Sequence, residues 1–127
     1  MNLIFALAIQ LGIFSAGTSF AAKSSTQELM QRKLANAQAL LKGIALEDYK
    51  LILTKAENLR EIGLAASWHK LTSPDYQHFA NSFVNVATNM VEQAKKKNLE
   101  GVAMSYIGLT FSCMQCHNHV RAGRPKP

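Results

Sequence analysis

Four apolar stripes, each stepping by three and four residues and each cut off by a short breaker, leave this chain little choice of fold. Ser25 and Glu28 have the spacing of a capping box, and Met30, Leu34, Ala37, Leu41 and Ile44 follow as the seam of a first helix, with Gly43 as a left-handed stop near its end. Glu47 and Asp48 open a second stripe, Tyr49, Ile52, Ala56, Leu59, Gly63 and Ala66, where acidic groups favour the helix dipole. Ser73 as N-cap and Pro74 at the first helical position start a third, Tyr76, Phe79, Phe83, Val86 and Met90. Asn98 turns the chain into the last stripe: Leu99, Val102, Tyr106, Leu109, Cys113, Cys116 and Val120, ended by Gly123 and Pro125. Strand-like alternation and longer sequence repeats are both missing from the sequence. Short connections between helices of this kind predict an all-α, antiparallel up-down-up-down four-helix bundle, and an apolar content of 48% suits one compact domain.

The chemistry concentrates in the fourth stripe. Cys113-Met114-Gln115-Cys116-His117 holds both cysteines of the chain, three residues apart, with a histidine directly after the second. That is the attachment signature of c-type haem: each thiol adds across one porphyrin vinyl group to give a thioether, and the histidine lies under the iron. Both cysteines also fall on the seam of their helix, so the apolar pattern and the motif agree without having been chosen together. Three other readings compete. A thioredoxin-like pair needs a strand before the motif, and here a helical pattern leads into it. A structural zinc site needs four ligands, which His69, His78 and His119 would have to complete. A plain disulfide leaves His117 without a role.

Bundle geometry places the rest of a haem pocket. His117 stands about one turn before the end of the fourth helix, so an antiparallel first helix brings Met30 to its height, with Leu34 a turn deeper. Gly63 and Ala66 leave room for a flat ring at this end, and Leu59, Phe79 and Phe83 could pack on it, although aromatic stripes are more often ordinary core. Met30 would be the iron ligand opposite His117, or else a flexible core filler. His119 lies about 200° round the helix from His117 and cannot reach the other face of the same iron. His119 is then a surface residue or a propionate neighbour, His78 falls off the apolar stripe and is expected to be exposed, and His69, after Trp68, has a helix-end or loop role or else approaches the haem edge.

The run from Cys113 to Arg121, Cys-x-x-Cys-His-x-x-x-Arg on the last helix of a four-helix domain, resembles the class II cytochromes c, that is, cytochrome c′ and its low-spin relatives. Ordinary class I cytochromes c carry their haem motif near the N-terminus. The resemblance in motif covers the last helix, and the resemblance in architecture covers the rest of the bundle. It implies one covalent haem c per chain, thioethers at Cys113 and Cys116, an axial bond from His117, Arg121 close to that histidine, and a sixth position facing helix one. In the low-spin relatives a methionine fills that position and the protein carries electrons between redox partners. In cytochrome c′ an apolar side chain blocks it, and five-coordinate iron binds nitric oxide or carbon monoxide. The first is the expectation for this chain, with Met30 as ligand. The alternatives are the second, with Leu34 over the iron, and a helical adaptor or metal-binding module that never receives haem. A homodimer stays open.

Residues 1–21 read as a signal peptide: Asn2 to Ala21 carry no charged side chain, Leu3 to Phe14 is an apolar run, and Ser19-Phe20-Ala21 fits cleavage. A membrane anchor facing the periplasm is the alternative, because the run is almost long enough to span. A periplasmic location agrees with the haem motif, since the resemblance implies attachment outside the cytoplasmic membrane. The haem domain is then 22–121, and 122–127 is a basic tail. The net charge of +6 is dispersed apart from Lys95-Lys96-Lys97 and that tail, so it speaks for solubility and weak steering of acidic partners, not for nucleic acid. Neither a nucleophile–base pair nor paired carboxylates stand out, and the chain is not expected to be an enzyme.

Overall fold

The computed structural model describes residues 25–65 and 73–123 and is a bundle of four helices: α1 (Ser25–Ala45), α2 (Tyr49–Leu64), α3 (Pro74–Lys95) and α4 (Leu99–Ala122). Each helix packs on the next in sequence, and α1 meets α4 only sparingly. Contacts between neighbours show that they run antiparallel. Asn36 accepts a hydrogen bond from Asn58 while Gly43 lies against Ile52; Tyr49 reaches Lys97 while Gly63 lies against Phe83. Asn89 donates to Ser105 while Gly101 lies against Gln93.

The α1–α2 and α3–α4 connections are the same device. Asp48 N–H donates to the Gly43 carbonyl and Glu47 N–H to Ile44; Asn98 N–H donates to Gln93 and Lys97 N–H to Ala94. This is the Schellman pattern, and the left-handed residue in each is Glu47 or Lys97, both at φ 53°. Asp48 and Asn98 then cap the next helix, their side chains accepting from Leu51 N–H at 3.0 Å and Gly101 N–H at 3.1 Å. Tyr49 ties the two turns together by donating its hydroxyl to the Lys97 carbonyl at 3.0 Å. The stop expected of Gly43 is therefore moved. Gly43 stays inside α1 without a left-handed φ, because a Cβ there would stand 3.0 Å from Ile52, and the glycine lets α2 come close. At the start of α3, Ser73 caps as expected, its hydroxyl accepting from Tyr76 N–H at 3.2 Å behind Pro74.

The core follows the stripes read from sequence on α2 and α3 and in part on α4, where Ser105 and Ser112 are buried beside the half-buried Tyr106 and Cys113. Ile52, Ala56, Leu59 and Gly63 of α2, Tyr76, Phe83 and Met90 of α3, and Val102 and Leu109 of α4 are buried. On α1 the seam is turned by about one residue. Leu29, Leu40 and Gly43 are buried, whereas Leu34 is 54% and Leu41 51% exposed. The inward positions of α1 are Leu29, Lys33, Ala37 and Leu40, so a lysine sits where the sequence pattern had placed Leu34.

Among the described residues no helix is long and apolar enough to cross a membrane. The expected signal peptide at 1–21, Ala66, His69 and the tail beyond Gly123 lie outside the described residues.

Candidate functional site

Where α1 and α4 meet sparingly, a cavity of about 320 Å³ lies between them, floored by α2 and α3. It occupies the end of the bundle away from the two Schellman turns. Tyr106, donating its hydroxyl to the Ala37 carbonyl at 3.2 Å, links α1 and α4 at the inner limit of the cavity. The volume is at the small end of the range for cofactor sites, and the lining is predominantly apolar.

Every element of the bundle contributes. Cys113 and Cys116 of α4 line the cavity, half-buried and as free thiols, and His117 lines it from the exposed rim. They share this face because steps of three and four on a helix return to one side. Met30 of α1 lines it too and packs in a small cluster with Leu29, Ile62, Tyr76, Cys116 and Val120. The register expected from the sequence thus brings Met30 into one cluster with Cys116. Leu34 lines the mouth, which is why an apolar side chain there is so exposed. Phe83 is a buried wall and Phe79 a half-buried one, its ring 5.4 Å from that of His119 and 5.6 Å from that of His78. His119 is half-buried against Phe79 and does not line the cavity, and His78 is exposed as expected. Gly63 lines the cavity, but the space its missing side chain leaves is filled by Phe83 and Val84, which a Cβ would meet at 3.0 and 2.9 Å. It serves the approach of α2 to α3. Arg121 is not brought in: it is exposed and donates to Asn118 Oδ1 one turn along the outside of α4. Met114 is exposed, Met104 is exposed, and Met90 is buried in the main core, so among the described residues Met30 is the methionine of the cavity.

Three residues of the cavity do not stand out in the sequence. Lys33 folds inward with its ammonium 3.5 Å above the centre of the Phe83 ring, a cation–π contact. Burial pushes that ammonium down to about 8, against the opposing influence of Cys113 and then Cys116. Both thiols are in turn pushed up, chiefly by burial, with the Lys33 charge pulling the other way. Tyr76 is buried beside Cys116, its phenol also pushed up, first by burial and then by that thiol. Ser112 is 3% exposed and its hydroxyl has no hydrogen-bond partner among the described residues. A buried hydroxyl left so costs about 1–3 kcal/mol, which makes it a place where a bound group would be welcome. The signal for Lys33 was its own: a charge on the inward face of an amphipathic helix. Ser112, one residue before Cys113, carried none.

These residues fit a covalently held haem. The two sulfurs look into one apolar cavity from one helix, the imidazole that follows stands at its rim, a donor-bearing helix faces them, and an unsatisfied hydroxyl waits inside. Among the described residues no three His, Cys, Asp or Glu side chains gather to hold a metal ion by themselves, so a zinc cage finds no ligand set there. Comparison with family models, with curated proteins and with solved structures finds no match to this chain.

Proposed function

We propose that the chain is an exported c-type cytochrome with one haem tethered through Cys113 and Cys116, acting as a one-electron carrier, and that it resembles the class II cytochromes c in more than its motif. The observation that carries this reading is the shared exposure of both thiols and His117 to the same apolar cavity. When bound, the haem supplies reversible one-electron chemistry between ferric and ferrous iron.

The chain's own part is to bind, orient and shelter. Thioethers at Cys113 and Cys116 would fix one edge of the ring along α4. His117, one residue on, would hold the iron from the α4 side, and Met30 is the thioether donor across the cavity on α1. Leu59, Phe79 and Phe83 would give a haem an apolar bed sheltered from water, which with methionine ligation would raise its reduction potential. The mouth beside Leu34 and His117 leaves an edge near the surface, where a redox partner could exchange electrons. The leader at 1–21 would deliver the domain to the periplasm, where such partners and the attachment reaction are found.

A gas-binding haem protein is the second reading, and Leu34 favours it: an apolar side chain at the mouth of the cavity on α1 could cover an open iron face.

Expression with haem-attachment machinery tests both. The mature protein should gain the mass of one haem and give the pyridine haemochrome of two thioether bonds, and Cys113→Ala with Cys116→Ala should abolish the gain. Absence of added mass in the wild-type protein would overturn the proposal. Carbon monoxide should bind the reduced protein poorly if Met30 ligates, and Met30→Ala should then turn it high-spin. A high-spin reduced spectrum that carbon monoxide shifts readily in the wild type decides for gas binding.

A further inference from the structure

The cavity holds a second donor that the family pattern gives no reason to expect. Lys33 is one turn from Met30 on the same face of α1, and both line the wall that faces Cys113, Cys116 and His117. Resting on the haem reading above, we propose that Lys33 is a second distal ligand, its amine holding the oxidised iron opposite His117 while the Met30 thioether holds the reduced iron.

The argument is one of place. Lys33 stands close enough to both cysteines for its charge to bear on each. The thioethers anchor the vinyl edge of a porphyrin at those sulfurs, and its carboxylates lie at the opposite edge. A cation next to the tethers is therefore badly placed to pair with a carboxylate. Inside the cavity the ammonium lies over the face of Phe83, and a ring laid in the cavity would compete for that face. The flexible four-carbon stem then lets the nitrogen either leave for solvent or bind the metal, and a lysine sheltered from water gives up its proton more easily than a solvated one. Amine nitrogen is the harder donor and suits ferric iron; thioether sulfur is the softer and suits ferrous iron. Two donors at adjacent turns thus divide the two oxidation states between them.

The exchange balances. On oxidation of a bound haem one electron would go to an acceptor protein, the Met30 sulfur would leave, and the Lys33 ammonium would release its proton to solvent at the open mouth and offer its nitrogen lone pair in place of the thioether. Reduction reverses each change.

The test is the ferric spectrum of the haem-loaded protein, wild type against Lys33→Ala and Lys33→Arg. Iron(III) bound by a thioether shows a weak charge-transfer band in the far red, and iron(III) bound by an amine does not. The wild type should be low-spin without that band. Both variants should show it, because Met30 then takes the vacant place; Lys33→Arg keeps the charge and the Phe83 contact but cannot ligate. A far-red band in the wild type overturns the proposal, as does a high-spin ferric wild type or a ferric spectrum unchanged in both variants. The wild-type spectrum decides even if a variant fails to fold. A protein that gains no haem mass instead brings down the reading on which this rests.

Discussion

The two ends of this bundle are built on opposite principles. At one end two Schellman turns of the same geometry, at Glu47 and Lys97, are tied by the Tyr49 hydroxyl, and the core beneath them closes over Leu40, Ile52, Met90 and Val102, all without exposed surface. Its polar backbone groups are satisfied locally, and its side chains interlock. At the other end the helices enclose a cavity. A lysine points inward, a serine hydroxyl is unsatisfied, two thiols are half-buried, and Leu34 sits exposed at the mouth. The closed end is complete as protein alone. The open end has the composition of a core with a piece left out, and it is where Met30, Lys33, Cys113, Cys116 and His117 collect. A domain that must receive a large apolar group needs one end that folds without it.

This contrast can be broken most directly by deleting atoms at each end. Met90→Ala removes a wholly buried side chain from the closed core and should cost the haem-free protein about 3 kcal/mol in urea unfolding. Phe79→Ala removes a larger side chain, but from a half-exposed cavity wall, and should cost less than about 1 kcal/mol. Equal losses would mean that the open end is already as well packed as the other.

A smaller effect tests the unfinished character of the cavity. Replacing Lys33 by Met should stabilise the haem-free protein by about 2 kcal/mol at pH 7, because the buried ammonium is exchanged for an apolar group of similar length. The sign with pH follows from the depressed value. Below about 8 the lysine is protonated in both states, so the folded protein carries the full penalty of burying the charge. Between about 8 and the ordinary 10.5 the unfolded chain binds the proton and the folded one does not, so wild-type stability rises with pH. The advantage of Lys33→Met should therefore shrink through that window and be gone near its upper end. Comparing the two proteins at each pH removes most of the contribution from the thiols, which titrate in the same range. An advantage that stays constant with pH would place the Lys33 charge in water.

The same division governs what could be seen in the sequence. Helices α2 and α3 each pack on two neighbours along a wide face and α4 packs chiefly on α3, and their apolar stripes name the residues at the centre of the core, Ile52, Phe83 and Leu109. Helix α1 borders the cavity and buries a narrower strip. Its sequence offers two seams one residue apart, and the apolar one through Leu34 loses to the one through Lys33, whose long stem can lie along apolar surface. The left-handed residues of the two turns were hidden for another reason. Glycine is the usual mark of a left-handed residue, but here Glu47 and Lys97 take that conformation, and Gly43 and Gly63 instead allow helices to approach. Cys113, Cys116 and His117 were legible because their spacing is chemical. Tyr76 and Ser112 were not, since membership of the cavity depends on helix register, which contacts between helices set and a single stripe does not.

The closed end itself offers the finest adjustment. A non-glycine residue in the left-handed region costs about 1–2 kcal/mol, while glycine gives back about 0.5–1 kcal/mol of this through the greater freedom of the unfolded chain. Lys97→Gly should thus stabilise the protein by about 0.5 kcal/mol net. The Lys97 carbonyl still accepts from Tyr49, and Lys97 N–H still donates to Ala94, so no bond of the turn is given up. Glu47→Gly should gain less, because the Glu47 carboxylate also accepts a long hydrogen bond of 3.4 Å from the Tyr49 hydroxyl. Thermal unfolding of both variants reads the difference, and haem loading should be the same in each, since neither turn touches the cavity. A loss of stability in Lys97→Gly would mean that the side chain contributes more to the turn than its backbone strain takes away. The closed end would then owe its order to surface contacts as well as to its core.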